Sequence, residues 1–176
     1  MGAILRYADE VTKAMAMLGR DQRTLFVGQA VEYDGQRLHA TLKDVDADKR
    51  IEMPVCEDFQ MGFCTGLSLE VYIPVSIYPR WDFLLLAANQ LVNHLDKIPL
   101  LGGFRPKVII RTAVGSKTPL NPGLQHIQDH SEAFSLMLQS IPVLQIHSAE
   151  DVLETYENAL QIPGSCVVVE YMDQYK

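Results

Sequence analysis

The sequence predicts an α/β fold, a three-layer, doubly wound arrangement around a mainly parallel sheet. Three observations carry this. Short apolar runs of β-forming residues alternate along the chain with longer segments of helical periodicity. That alternation builds βαβ units, which place parallel strands in the middle and helices on both faces. The chain has 176 residues with no repeat, low-complexity tract or linker, so a single domain over 1–176 is expected, within the usual size of roughly 100–200 residues.

Each element has its own signal. Ile4–Leu18 spaces Leu5, Ala8, Val11, Met15 and Leu18 as one helical face, and Gly19 stops it. Thr24–Val27 reads as a short buried strand ending at Gly28. Gln29–Arg50 is polar, with Asp34-Gly35 as a turn signal, and predicts a long irregular connection. Ile51–Val55 reads as extended, Glu57–Leu69 as a helix, and Val71–Ile77 as a strand. Trp81–Leu95 predicts one apolar helix ending near the Pro99 and Gly102-Gly103 breakers. Lys107–Thr112 is a strand and Val114–Gln128 a loop. Asp129 or Ser131 caps a helix over Glu132–Gln139. Val143–Ile146 is a strand, Ala149–Leu160 a helix and Cys166–Glu170 the last strand.

Composition removes several function classes. Fifteen Lys and Arg against 22 Asp and Glu give a net charge of −7, the opposite of the basic footprint that nucleic-acid binding needs. The longest apolar run, Phe83–Ala88, is six residues, far short of the roughly 20 that span a bilayer. Arg6, Asp9 and Glu10 break any signal-peptide pattern near the N-terminus. Cys56, Cys64 and Cys166 are odd in number with no CxxC pair, which argues against disulfides or a structural zinc and for reduced thiols in the cytoplasm.

In a doubly wound sheet, ligands sit beyond the carboxyl ends of the strands. Here those ends correspond to Gly28–Gln29, Val55–Glu57, Ile77–Phe83 and the loop through His126. Glu57 opens a helix, where the dipole favours a carboxylate with or without further function. Gly62 and Gly66, four apart, leave a helix face on which another backbone can pack closely. Tyr78, Trp81 and Phe83 form an aromatic cluster that either fills the core or stacks on a planar ring. His126 and His130 have the i,i+4 spacing of a zinc helix, but Ile127 stands where its glutamate belongs and no third ligand is near. His126 therefore reads as a proton-transfer or substrate-contact residue. Neither a GxGxxG nor a GxxxxGK[ST] loop occurs, and no GxSxG elbow.

Taken together, the segments resemble the pyrimidine-binding domain of transketolase-like thiamine diphosphate enzymes, and within that family the beta subunit of the 2-oxo acid dehydrogenase first component. Leu25-Phe26-Val27-Gly28 with Tyr33-Asp34-Gly35 resembles the family's first strand and loop. Met53-Pro54-Val55-Cys56-Glu57 resembles its Thr-Pro-Ile-Ser-Glu. Trp81-Asp82-Phe83 with Asn89-Gln90-Leu91-Val92-Asn93 resembles the aromatic segment and helix that follow. Gln125-His126-Ile127-Gln128 resembles Gln-His-Ser-Gln, and Ile141-Pro142-Val143-Leu144 with Glu150-Asp151 resembles the closing strand and helix. The resemblance implies the pyrimidine domain of the thiamine diphosphate-binding fold and assigns roles. Glu57 matches the glutamic acid set against the pyrimidine ring nitrogen, where it drives the shift to the imino tautomer. That acid shares its proton, which asks for an apolar setting, here expected from Val55, Phe59 and Phe83. Phe83 matches the ring stacked on the pyrimidine, Val55 a backbone contact and His126 a histidine near the substrate.

The departures are specific. Gln29, at a cofactor-contact position by the resemblance, stands where the family usually has glutamate, and a neutral amide there cannot act as the acid of a hydrogen-bond relay. Leu86 replaces a glutamine that the dehydrogenases tend to carry, and Pro79 and Arg80 are atypical. No Gly-Asp-Gly, the motif that holds the diphosphate and its magnesium in this family, occurs in the chain. The expectation is a separate, alpha-type chain that completes the active site and holds the magnesium, in a homodimer or heterotetramer, with the Gly62/Gly66 helix as contact. The competing expectation is a non-catalytic stand-alone domain that binds or modulates a thiamine enzyme.

Overall fold

The computed structural model describes residues 6–34, 37–118 and 121–175. Ile4 and Leu5 of the expected first helix, Gly35 of the turn and Pro119 of the loop lie outside them. Six strands form one sheet: β1 (Thr24–Gly28), β2 (Arg50–Glu52), β3 (Ile73–Tyr78), β4 (Ile109–Val114), β5 (Val143–Ile146) and β6 (Cys166–Tyr171). Their order is β2-β1-β3-β4-β6-β5 and every neighbouring pair is parallel. The four central strands, β1, β3, β4 and β6, are buried almost throughout because helices cover both faces.

The helices are α1 (Tyr7–Gly19), α2 (Arg37–Ala40), α3 (Glu57–Leu69), α4 (Trp81–Leu84), α5 (Ile98–Leu101), α6 (Ser131–Met137) and α7 (Asp151–Gln161). One core layer packs α1 and α7 on the sheet through Val11, Met15, Leu18, Val152 and Tyr156. The other packs α3, α4 and α6 through Met61, Trp81, Leu84 and Phe134. In the first layer Arg111 and Glu170, both fully buried, form an ion pair with contacts of 2.9 and 3.0 Å. Tyr156 and Tyr175 also donate to Glu170, so both carboxylate oxygens are held, as a buried charge requires.

Four sequence expectations change. The apolar run Trp81–Leu95 is not one helix: α4 is followed by a 3-10 turn over Leu85–Ala87 and a π-helical turn over Gln90–Leu95. The irregular segment after Gln29 contains α2 and a 3-10 turn, Ala47–Lys49, and the strand expected over Ile51–Val55 is only three residues long. Pro99, read as a breaker, sits in the first turn of α5, where proline fits. Among the described residues no helix is long and apolar enough to cross a membrane.

The topology itself points to a crevice. From β1 the chain moves to β2 on one side and then to β3 on the other. Loops leaving the carboxyl ends of β1 and β3 therefore diverge, which is the switch point at which sheets of this kind bind their ligands.

Candidate functional site

β1 ends at Gly28, paired in register with Ile77 of β3. A Cβ on Gly28 would lie 2.5 Å from the Ile77 carbonyl oxygen, so only glycine lets the two strands close here. The next residue, Gln29, donates through Nε2 to Oε1 of Glu57 at 3.2 Å. The chain after Gln29 is fixed by Glu52, at the end of β2. Its carboxylate accepts from the N–H groups of Ala30, Val31 and Glu32 at 2.7, 2.8 and 3.0 Å. Ala30 has φ of 54°, a strained value for a residue with a side chain. It turns three successive N–H groups onto one anion.

Glu57 occupies the first turn of α3 and is 6% exposed. The Tyr78 hydroxyl donates to its backbone carbonyl at 3.3 Å. Burial pushes the Tyr78 hydroxyl well above its ordinary range, against the pull of Ser76, and keeps it a donor. Gln60, fully buried one turn on, donates from Nε2 to Ser76 Oγ at 3.1 Å and to the Ile77 carbonyl at 3.0 Å. The first turn of α3 is thus bolted to the end of β3, and Glu57 with it.

α4 carries the aromatic segment. Trp81 is fully buried, donates from its ring nitrogen to Ser131 Oγ at 3.1 Å, and packs on Phe134 with ring centroids 4.8 Å apart. Tyr78 and Trp81 are therefore core, whereas Phe83 is half-buried and meets His126, with centroids 5.4 Å apart and planes at 64°. His126 ends the 3-10 turn Leu124–His126. Its carbonyl oxygen lies where a Cβ on Gly115 would stand, 1.8 Å away. Among the described residues its Nδ1 is buried without a hydrogen-bond partner.

The structure joins Gln29 to Glu57 and Phe83 to His126, as two pairs at the same end of the sheet. It corrects the expected apolar setting of Glu57. Val55, in the turn before α3, is 81% exposed, and Phe59, on the outer face of its first turn, is 55% exposed, so both side chains are turned largely to the surface. Helix packing at the two glycines is also different. A Cβ at Gly62 would meet Gln90 at an ordinary 3.8 Å, and one at Gly66 would meet nothing within 4 Å. Val55, Phe59 and Gly66 are exposed, while Phe63 is half-buried against the core. Sequence reasoning missed Glu52 and Gln60, which hold the frame, and the polar contacts of Asp82 and Gln128. Glu52 and Gln60 look like ordinary polar positions of a strand and a helix. Among the described residues no three His, Cys, Asp or Glu side chains gather to hold a metal ion. Cys64 and Cys166 are buried, which pushes both thiols up to about 12, and Cys56 is exposed.

No protein-family profile matches the chain. It is 30% identical over 135 residues to the pyruvate dehydrogenase E1 component subunit beta of Cyanidium caldarium, covering 73% of this chain and 39% of that protein. It is 27% identical over 169 residues to the mitochondrial counterpart of Saccharomyces cerevisiae, covering 92% and 45%. A solved split-gene transketolase, an inactive beta4 tetramer, superposes with a TM-score of 0.72 at 19% identity, covering 96% of this chain and 51% of that one. The chain has the transketolase-like pyrimidine-domain fold and is homologous to E1 beta subunits. It spans less than half the length of these curated E1 beta relatives. Homology to E1 beta subunits fits the all-parallel sheet and the three layers seen here.

Proposed function

We propose that this chain supplies the pyrimidine-facing half of a thiamine diphosphate site in a 2-oxo acid dehydrogenase-like or transketolase-like enzyme. A separate, alpha-type chain supplies the diphosphate half and its magnesium. The observation that carries the reading is the buried Glu57 carboxylate, held by Gln29 beside the carboxyl end of β1, with the Phe83–His126 ring contact at the same end of the sheet. These residues fit the cofactor. Glu57 offers a carboxyl that holds and moves a proton at a ring nitrogen, and Gln29 orients it. Phe83 keeps part of its ring free to stack on a flat heterocycle. The backbone at Val55 borders the same turn, and His126 Nδ1 has its polar capacity uncommitted within the described chain. The bound cofactor supplies the electron sink for cleavage beside a carbonyl.

The open stripe on α3 supports the assembly. Val55 and Phe59 expose apolar surface beside Glu57, and an uncovered apolar face beside a site marks an interface. A homodimer or a heterotetramer with the alpha-type chain would cover it and enclose Glu57. Calorimetry with thiamine diphosphate and magnesium, on the chain with and without its partner, tests the reading. Binding is expected only with the partner, and Glu57→Gln is expected to lower turnover by about 10²–10⁴-fold with assembly intact. Unchanged turnover in that variant overturns it.

One observation favours a second reading. Gln29 is an amide at the position nearest the Glu57 carboxylate, and an amide orients that group but passes it no proton. For a non-catalytic domain that binds or modulates a thiamine enzyme, Glu57→Gln would leave both the assembly and the turnover of the complex unchanged.

A further inference from the structure

His126 hangs from a long loop after β4, so something must decide where it stands. Gly123, which opens the turn, has φ of 95°, and the 3-10 turn that ends at His126 is only three residues long, with its last carbonyl against Gly115. The next polar side chain along the loop is Gln128, which donates from Nε2 to Asp82 Oδ1 at 2.9 Å. Asp82 lies beside Phe83 on α4. The same carboxylate oxygen is 3.9 Å from His130 Nε2. Only 8% of the Asp82 side chain is exposed, and its Oδ2 has no hydrogen-bond partner among the described residues. A carboxylate buried this deeply with a single hydrogen bond, beside His130 and Arg80, is costly as mere packing.

The loop is also fastened further along. Trp81 donates to Ser131, Asp129 accepts from the Ser131 N–H at 2.9 Å, and the Tyr171 hydroxyl donates to Asp129 at 3.0 Å. Those contacts fix the start of α6. Between the His126 turn and that anchor, Asp82 is where the loop is tied to α4.

We infer that Asp82 is a positioning residue for His126: through Gln128 it ties the loop carrying His126 to the turn carrying Phe83, and so sets the ring contact at the site. Its meaning for function rests on the thiamine diphosphate reading above, but the tie itself is a property of this chain alone.

NMR of the full chain tests it without cofactor or partner. The ring protons of His126, assigned through His126→Gln, are displaced by the ring current of Phe83, and Phe83→Leu measures that displacement. Asp82→Ala is expected to abolish the displacement. Asp82→Asn, which keeps an oxygen to accept from Gln128, is expected to retain it. Gln128→Ala, at an exposed position with no core contact to lose, is expected to abolish it too and decides the matter if Asp82→Ala does not fold. Persistence of the displacement in Gln128→Ala overturns the inference. Failure of cofactor binding in calorimetry would leave this result untouched, so the two ideas fail separately.

Discussion

Gly115 is the sharpest lever on the site, because its substitution acts on His126 without touching it chemically. In Gly115→Ala the new Cβ would stand 1.8 Å from the His126 carbonyl oxygen, 2.9 Å from the carbonyl carbon and 3.0 Å from Ile127 Cα. All three are backbone atoms, so no flexible side chain can swing aside. Ordinary contact begins at 3.4 Å, and the loop must retreat by roughly 1.6 Å to reach it. Overpacking of this kind costs about 1–3 kcal/mol. For a chain of this length that lowers the melting temperature by about 2–12 °C. The same retreat carries the His126 ring away from Phe83, from which it is now separated by 5.4 Å. A misplacement near 1 Å at a reacting centre can cost about 100-fold in rate. Differential scanning calorimetry of the chain and turnover of the assembled enzyme read the two effects. A Gly115→Ala variant with both unchanged would refute the reasoning, because the close approach would then be no constraint on the loop.

Three other substitutions follow from the same structure. Gly66→Ala meets no neighbour within 4 Å, so the isolated chain should gain about 0.5–1 kcal/mol from better helix propensity, while analytical ultracentrifugation should show weaker assembly if α3 is the contact. Arg111→Met leaves the buried Glu170 carboxylate without its cation, at a cost of about 3–5 kcal/mol, and the double variant Arg111→Met/Glu170→Leu should recover part of that in a urea melt. At Asp96, burial raises the carboxyl, but Lys97 and the N–H groups of Ser140 and Gln139 outweigh it and hold it below the ordinary range. A depressed carboxyl stabilises the fold above its unfolded value of about 4 and loses that contribution as pH falls below it. Asp96→Asn should therefore show a shallower loss of stability in acid melts than the unaltered chain. An equally steep acid limb would refute that assignment.

Much of the architecture is legible in the sequence because its signals are local. Helix α3 begins and ends where Glu57–Leu69 predicts, and β5 where Val143–Ile146 predicts: each has turn or charge signals at both ends and a clear period between. The run Trp81–Leu95 misleads because it is apolar on nearly every turn, so its spacing encodes no single face and hides the widened π turn. Glu57, Gln29, Phe83 and His126 are legible as residues at strand ends. Their pairing is not, since it depends on contacts between positions 28 and 43 residues apart. The groups that hold them are less visible still. Glu52 acts by turning its carboxylate onto the N–H groups of residues 30–32, and Gln60 by reaching the carbonyl of Ile77. Nothing in an amide's or an acid's identity announces a bond of that kind to distant backbone.

The bare hydrophobic stripe beside Glu57 ties two properties that engineers usually treat apart. Replacing Phe59 with a lysine would make the lone polypeptide more soluble and easier to handle, and would at the same stroke place a hydrated cation where the proposed partner would press. If the proposed partner covers that stripe, a cell that makes this chain in excess of it should find the surplus sticking to chaperones or to itself.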